Sequence, residues 1–288
     1  MSPRTAEIAI INCSTKEFTA LALVSALRHG GGLRVTVIDC ESTDGSMEFF
    51  RQLQRQLSFK LAQLPLRRHG VTLDRLFSEA ASDALLLLDS DAEILDPDLV
   101  PRMLAAVLPG VYGSGFLHAG EWLAADQGSG HEQGYYAERM WIPCVLLDVA
   151  HVRDALHVGR SFRQRIVGNE LPLWPWLAQL LKLRFRIPGL RQLRFDAMRR
   201  LRSEYRGLRP HYLNFDTGAQ LHDYLVTRRG LKFADLGAAW WPTAVAHYHG
   251  VTRRQLRPRM RNAADVVASR EDALARISTI YGVQLPRK

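Results

Sequence analysis

Three short apolar runs, each giving way to a polar turn, constrain this chain more than any other feature. They are Ile8-Ala9-Ile10-Ile11, Val35-Thr36-Val37-Ile38 and Ala84-Leu85-Leu86-Leu87-Leu88. Between them the pattern changes to helical spacing. Phe18, Leu21, Leu23, Val24 and Leu27 define a helix from Glu17 to His29, stopped by Gly30-Gly31-Gly32. A second helix is expected from Asp44 to Leu57, capped by Ser42 or Asp44, and a third from Leu73 to Ala81. The third apolar run has no polar alternation, so it predicts a central parallel strand buried on both faces. The βαβαβ order predicts an α/β fold with helices on both faces of the sheet. In such sheets ligands bind beyond the carboxyl ends of the strands. Those ends read Asn12-Cys13-Ser14-Thr15, Asp39-Cys40-Glu41-Ser42 and Asp89-Ser90-Asp91.

The 288 residues are 47% hydrophobic and 23% charged, which excludes a disordered chain. Cys13, Cys40 and Cys144 are too few and scattered for a disulfide framework, and no CxxC pair offers a structural zinc site. The N-terminal segment lacks the pattern of a secretory signal, and no run of about 18 apolar residues predicts a membrane span. A cytoplasmic protein is expected. The net charge of +9 is concentrated: Pro172 to Pro210 holds ten Lys/Arg against two acids. One basic segment implies an acidic surface met in one place.

Beyond residue 110 the pattern is looser. Glycines crowd the stretch to Gly134, a loop is expected between Gly120 and Gly134, and Cys144–Leu147 predicts another strand. After the basic segment come Asp216-Thr217-Gly218, a helix from about Ala219 to Arg229, and Trp240-Trp241. His247-Tyr248-His249-Gly250 follows, then a last helix from about Ala263 to Tyr281.

Two carboxylates at i and i+2 beyond a buried strand offer hard oxygen ligands. Asp89 and Asp91 suit Mg²⁺ or Mn²⁺, which would neutralise a diphosphate leaving group. The same Asp-Ser-Asp also makes an ordinary strand-end turn.

Read in order, Ile10 to Glu17, Val37 to Ser46 and Leu86 to Ile94 resemble the family 2 glycosyltransferases of the GT-A fold. The matching segments are the first polar turn, Asp39-Cys40-Glu41-Ser42-Thr43-Asp44-Gly45-Ser46, and Asp89-Ser90-Asp91. The resemblance implies a Rossmann-like mixed sheet flanked by helices. Residues 1–110 would form the nucleotide-sugar-binding half and 111–288 the acceptor-binding half, with a basic amphipathic insert at 171–210. It also implies inverting transfer from a nucleoside-diphosphate sugar. Asp39 matches the residue that hydrogen-bonds a uracil ring, favouring a UDP or dTDP donor. Asn12 and Ser14 belong to the turn against the base, although Cys13 replaces a more usual tyrosine. Asp89 matches the residue near the ribose and metal, Ser90 beside it is assigned to donor binding, and Asp91 matches the direct metal ligand. Arg68, in Arg68-His69-Gly70, is placed at the phosphates; it also reads as a solvated loop arginine.

Asp216-Thr217-Gly218 resembles a segment of some family members, and Asp216 is the candidate base for the acceptor hydroxyl. It also reads as a helix N-cap. Asp148, Glu132 and Glu170 are alternatives. His247-Tyr248-His249-Gly250 with Thr252-Arg253 resembles a late family motif, in which His247 completes the metal shell and Arg253 reaches the diphosphate. His249 remains a second ligand candidate.

The segment Leu171–Pro210 is unlike the family core. Trp174 and Trp176 followed by interleaved Arg and apolar residues fit a membrane interface. They also fit a helical hairpin packed on the core, or an insert for a phosphorylated acceptor. The expectation is single-sugar transfer in bacterial-type surface glycan assembly, onto a glycan or lipid-linked acceptor, with possible contact at the inner face of the membrane. The alternatives are a protein, peptide or small-molecule acceptor and, from a different class, nucleic-acid binding by the Arg-rich segment. The acidic strand ends oppose the last of these by repelling phosphates.

Overall fold

The computed structural model describes residues 5–123, 134–168, 212–248 and 270–286. The strands are β1 (Ala6–Asn12), β2 (Arg34–Asp39), β3 (Lys60–Gln63), β4 (Ala84–Asp89), β5 (Ala92–Ile94), β6 (Val111–His118) and β7 (Glu121–Leu123). They continue as β8 (Gly134–Tyr136), β9 (Arg139–Asp148), β10 (Arg165–Gly168), β11 (Tyr212–Phe215), β12 (Lys232–Asp235) and β13 (Val245–His247). The helices are α1 (Lys16–His29), α2 (Ser46–Leu53), α3 (His69–Glu79) and α4 (Leu99–Ala106). They continue as α5 (Val149–His157), α6 (Ala219–Thr227), α7 (Trp241–Ala244) and α8 (Arg270–Tyr281).

Seven strands form one sheet in the order β12-β6-β9-β4-β1-β2-β3. Strands from both halves of the chain share it. Alternation of side chains across the strands divides the core into two layers. Ile8, Ile10, Leu86, Leu88, Cys144 and Leu146 face α1, α2, α4 and α8, meeting Leu21, Phe50, Met103 and Ile277. Their neighbours Ala9, Leu85, Leu87, Val145 and Leu147 face α3, α5 and α6, meeting Leu73, Phe77, Val152 and Leu221. Helices therefore cover both faces, as expected for an α/β fold with a mixed sheet.

One expectation needs correction. β4 is central and pairs in parallel with β1, but its other neighbour, β9, runs antiparallel. β6 is antiparallel to β9 in turn, and β12 is parallel to β6. Apolarity reports burial on both faces; it is silent on the direction of the neighbour. The consequence for function is direct. The N-terminal end of β9 and the C-terminal ends of β4, β6 and β12 all reach the same edge of the sheet.

Two helices also differ from their expected spans. α2 is shorter than Asp44–Leu57. Gly45 precedes it in a left-handed conformation (φ 81°), and Asp44 Oδ1 accepts the backbone N–H of Ser46 at 3.1 Å. α3 begins at His69 rather than Leu73. Its first turn contains Gly70, where an added Cβ would lie 2.7 Å from the backbone of Arg163. A smaller sheet, β10-β11-β8-β7, is built from the second half, and β5 pairs with β13. The insert 171–210, with Trp174 and Trp176, lies outside the described residues, as do Glu132, Glu170, His249 and Arg253. Among the described residues, no helix is long and apolar enough to cross a membrane.

Gly70→Ala forces α3 away from the Phe162–Arg163 backbone. It is expected to destabilise the protein by about 1–3 kcal/mol, the usual range for overpacking, read as a lower urea midpoint at unchanged slope.

Candidate active site

Three strand ends and one returning strand build the site. β4 delivers Asp89 to the carboxyl edge, the chain turns at Ser90 and Asp91, and β5 leads away. β13 then returns antiparallel to β5, with His247 opposite Ala92. This pairing brings residues far apart in the chain together. His247 Nε2 lies 3.4 Å from Asp91 Oδ1, and ligand atoms of Asp89, Asp91 and His247 all lie within 4.8 Å of one another. Asp91 is 10% exposed and Asp89 26%. Ser90 is buried between them.

Two carboxylate oxygens and one imidazole nitrogen suit Mn²⁺ or Mg²⁺ chemically, so the residues fit a divalent cation. Burial pushes the Asp89 carboxyl above the usual carboxylate range. His69 opposes that shift and Asp91 adds to it. A cation held by both carboxylates would relieve the crowding of two negative charges. The imidazole of His247 packs edge-on to Trp141, with ring centroids 5.4 Å apart, and Trp141 lies against Trp241 at 4.1 Å. Trp141 thus packs against β13 at His247.

The first two strand ends form one hydrogen-bonded knot. Asn12 Nδ2 donates to Asp39 Oδ1 at 2.7 Å and to Ser42 Oγ at 2.9 Å. The Ser42 N–H donates to Asp39 Oδ2 at 3.1 Å. Ser14 donates its N–H to Ser42 Oγ, and its own Oγ accepts from the N–H of Thr43. Ser14 (φ 53°) and Glu41 (φ 48°) are both left-handed, a strained conformation for residues with a Cβ. Asp39 is 0% exposed.

Of Arg68-His69-Gly70, the residue beside the carboxylates is His69. Its Nε2 lies 4.0 Å from Asp89 Oδ1, while Arg68 is exposed just before α3.

At the other end of the edge, β9 begins with Arg139. Its Nε lies 3.6 Å from Asp216 Oδ2, and its Nη2 lies 3.5 Å from Glu121 Oε1. Asp216 is 40% exposed. Its Oδ1 accepts from the N–H of Thr217 at 2.8 Å, while α6 starts after Gly218. Asp216 thus precedes α6 and is held by Arg139 at the carboxyl edge. Asp148, by contrast, is the N-cap of α5, accepting from His151 N at 2.8 Å. It stands at the far end of β9, across the sheet from the site.

Four residues absent from the sequence reading support this geometry: Arg139, Glu138, His222 and Tyr112. The Tyr112 hydroxyl meets His222 Nδ1 at 2.5 Å, and His222 Nε2 meets Glu138 Oε1 at 2.9 Å. The arrangement fits an Nε2-protonated imidazole that accepts from Tyr112 and donates to Glu138. It ties α6 to β6 and to the start of β9. No spacing rule joins residues 112, 138 and 222, so only the fold reveals the chain.

No known family profile matches the sequence, and none of the curated proteins matches it. Solved structures are similar in part. A mannosyltransferase from Pyrobaculum calidifontis, solved with GDP-Man and Mn²⁺, is 13% identical over 54% of this chain and 47% of that one, with a TM-score of 0.40. Glucosyl-3-phosphoglycerate synthase from Mycobacterium tuberculosis, solved with Mn²⁺, UDP and glucosyl-3-phosphoglycerate, is 14% identical over 52% and 59%, with a TM-score of 0.36. S. aureus TarS, solved with UDP-GlcNAc, is 16% identical over 52% and 47%, with a TM-score of 0.38. The chain spans about half the length of these proteins, and the likeness is one of partial fold.

The hydrogen bond from His222 holds the Glu138 carboxyl below the usual range. A carboxyl with a lowered folded pKa adds stability above its unfolded pKa, and that stability is lost as pH falls through the folded value. Glu138→Gln is therefore expected to be less stable than the parent at neutral pH. Below about pH 4.5, the ordinary value for this group, the two converge. Urea midpoints across the acid range check this.

Proposed function

We propose that the protein is a metal-dependent inverting glycosyltransferase of the GT-A type, moving one sugar from a nucleoside-diphosphate donor to a hydroxyl acceptor. The observation that carries the reading is the meeting of Asp89, Asp91 and His247 at the carboxyl edge, beside strand-end turns whose sequences resemble that family.

Asp91 and His247 would hold the divalent cation, with Asp89 at the ribose and cation. When bound, that cation supplies positive charge to the two phosphates of the departing nucleoside diphosphate. The nucleoside belongs over the knot of Asn12, Ser14 and Asp39, with uridine or thymidine favoured. Asp39 accepts from Asn12 and Ser42 and so fixes the shape of that end. His69, when protonated, adds positive charge beside the phosphates, with Arg68 nearby and Arg253 assigned by motif alone.

Asp216 is the proposed base. It needs a free oxygen lone pair and a fixed direction. Arg139 supplies the direction, and the 40% exposure of Asp216 leaves a lone pair accessible to an acceptor. In a single displacement the acceptor hydroxyl attacks the anomeric carbon as Asp216 takes its proton, and the bond to the diphosphate oxygen breaks. A surface-glycan or lipid-linked acceptor is favoured by the ten Lys/Arg between residues 172 and 210. The same segment is assigned to peripheral contact with an anionic membrane.

The test is release of nucleoside diphosphate from UDP-, dTDP- and GDP-sugars with Mn²⁺. One nucleotide class is expected to turn over. Asp91→Ala should abolish turnover. Asp216→Asn should lower it by about 10²-fold or more while nucleotide binding persists, as for loss of a general base. Equal turnover by Asp91→Ala and the parent would refute the metal-centred reading.

A further inference from the structure

β5 and β13 pair through three residues each: Val245 with Ile94, Ala246 with Glu93, and His247 with Ala92. A ribbon that short is marginal on its own, yet it carries His247 to Asp91. Something outside it must fix its position.

Glu93 is 0% exposed, although a buried carboxylate is costly unless fully paired. Here both oxygens are satisfied. Arg276 of α8 clasps it in two parallel bonds, Nε to Oε2 and Nη2 to Oε1, each 2.9 Å. The Tyr281 hydroxyl donates to Oε1 at 2.7 Å, and the Tyr248 hydroxyl donates to Oε2 at 2.5 Å. Tyr248 also donates its backbone N–H to the carbonyl of Asp91 at 2.8 Å. One residue therefore touches the buried carboxylate with its side chain and the candidate ligand Asp91 with its backbone, and it directly follows His247. On the other side, the Ile94 N–H is held by Ser25 Oγ of α1 at 3.1 Å.

We propose that Glu93 is a positioning residue of the metal centre, acting through Tyr248 to fix the Asp91–His247 pair and through Arg276 and Tyr281 to anchor it on α8. The inference rests on reading Asp89, Asp91 and His247 as that centre. Burying a carboxylate two residues beyond Asp91 stabilises the fold less than an apolar core residue of similar volume would. It gives direction instead. An ion pair with four aligned donors fixes the ribbon, where a packed methyl group would let it slide.

The test is Mn²⁺ binding by electron paramagnetic resonance, which counts free and bound ion without any sugar donor. The proteins are the parent, Tyr248→Phe, Glu93→Gln and Leu225→Ala. The last removes core volume from α6 in the opposite layer and controls for general loss of stability. Tyr248→Phe and Glu93→Gln are expected to weaken Mn²⁺ binding about tenfold, the lower end for residues that orient metal ligands. Leu225→Ala should bind like the parent despite its lower melting temperature. If Glu93→Gln does not fold, Tyr248→Phe decides alone. Affinity within about twofold of the parent in Tyr248→Phe, well short of that expected loss, overturns the inference and leaves the metal centre standing. Absence of Mn²⁺ binding by the parent itself removes the centre and the inference together.

Discussion

The structure depends on one constraint: a strand buried on both faces can place polar groups only at its ends. β4 is apolar from Ala84 to Leu88 and lies at the middle of the sheet, so its backbone can leave the core only at the edge. There it meets Asp89 and Asp91, and two carboxylates this close need a counter-charge. The remainder of the site answers that need. β13 supplies His247 beside Asp91, α3 supplies His69 beside Asp89, and the Asp89 carboxyl is still pushed upward. Burial is the largest cause of that rise, and a cation held by both carboxylates would offset it.

Orientation within the sheet then distributes the chemistry. Because β9 runs against its neighbours, its first residues stand at the same edge as the last residues of β4 and β6. Arg139 and Trp141, both from β9, hold Asp216 on one side and His247 on the other. The antiparallel strand is thus the structural link between the candidate base and the candidate metal ligands.

Much of this was legible before the fold was known. The three strand ends announced themselves through apolar runs and abrupt acidity, and Asp89, Asp91 and His247, assigned by motif, converge in space. The rest was hidden for physical reasons. The direction of β9 leaves no trace in hydrophobicity. The early start of α3 depends on Gly70 touching a backbone far along the chain. Arg139, Glu138 and Glu93 carry no signal of their roles in the sequence, because burial and partnership of a charged residue are tertiary facts. That Asp39 accepts from Asn12 and Ser42 was equally hidden, since a sequence shows which carboxylate ends a strand and not what it bonds.

The most direct measurement is calorimetric titration of UDP, dTDP, GDP and CDP into the protein, with and without Mn²⁺, repeated on Asp91→Ala. One of them, UDP or dTDP first, is expected to bind only with the metal, and Asp91→Ala to abolish this binding. Binding that ignores both the metal and the substitution, or no binding by any nucleotide, would contradict the metal-centred reading.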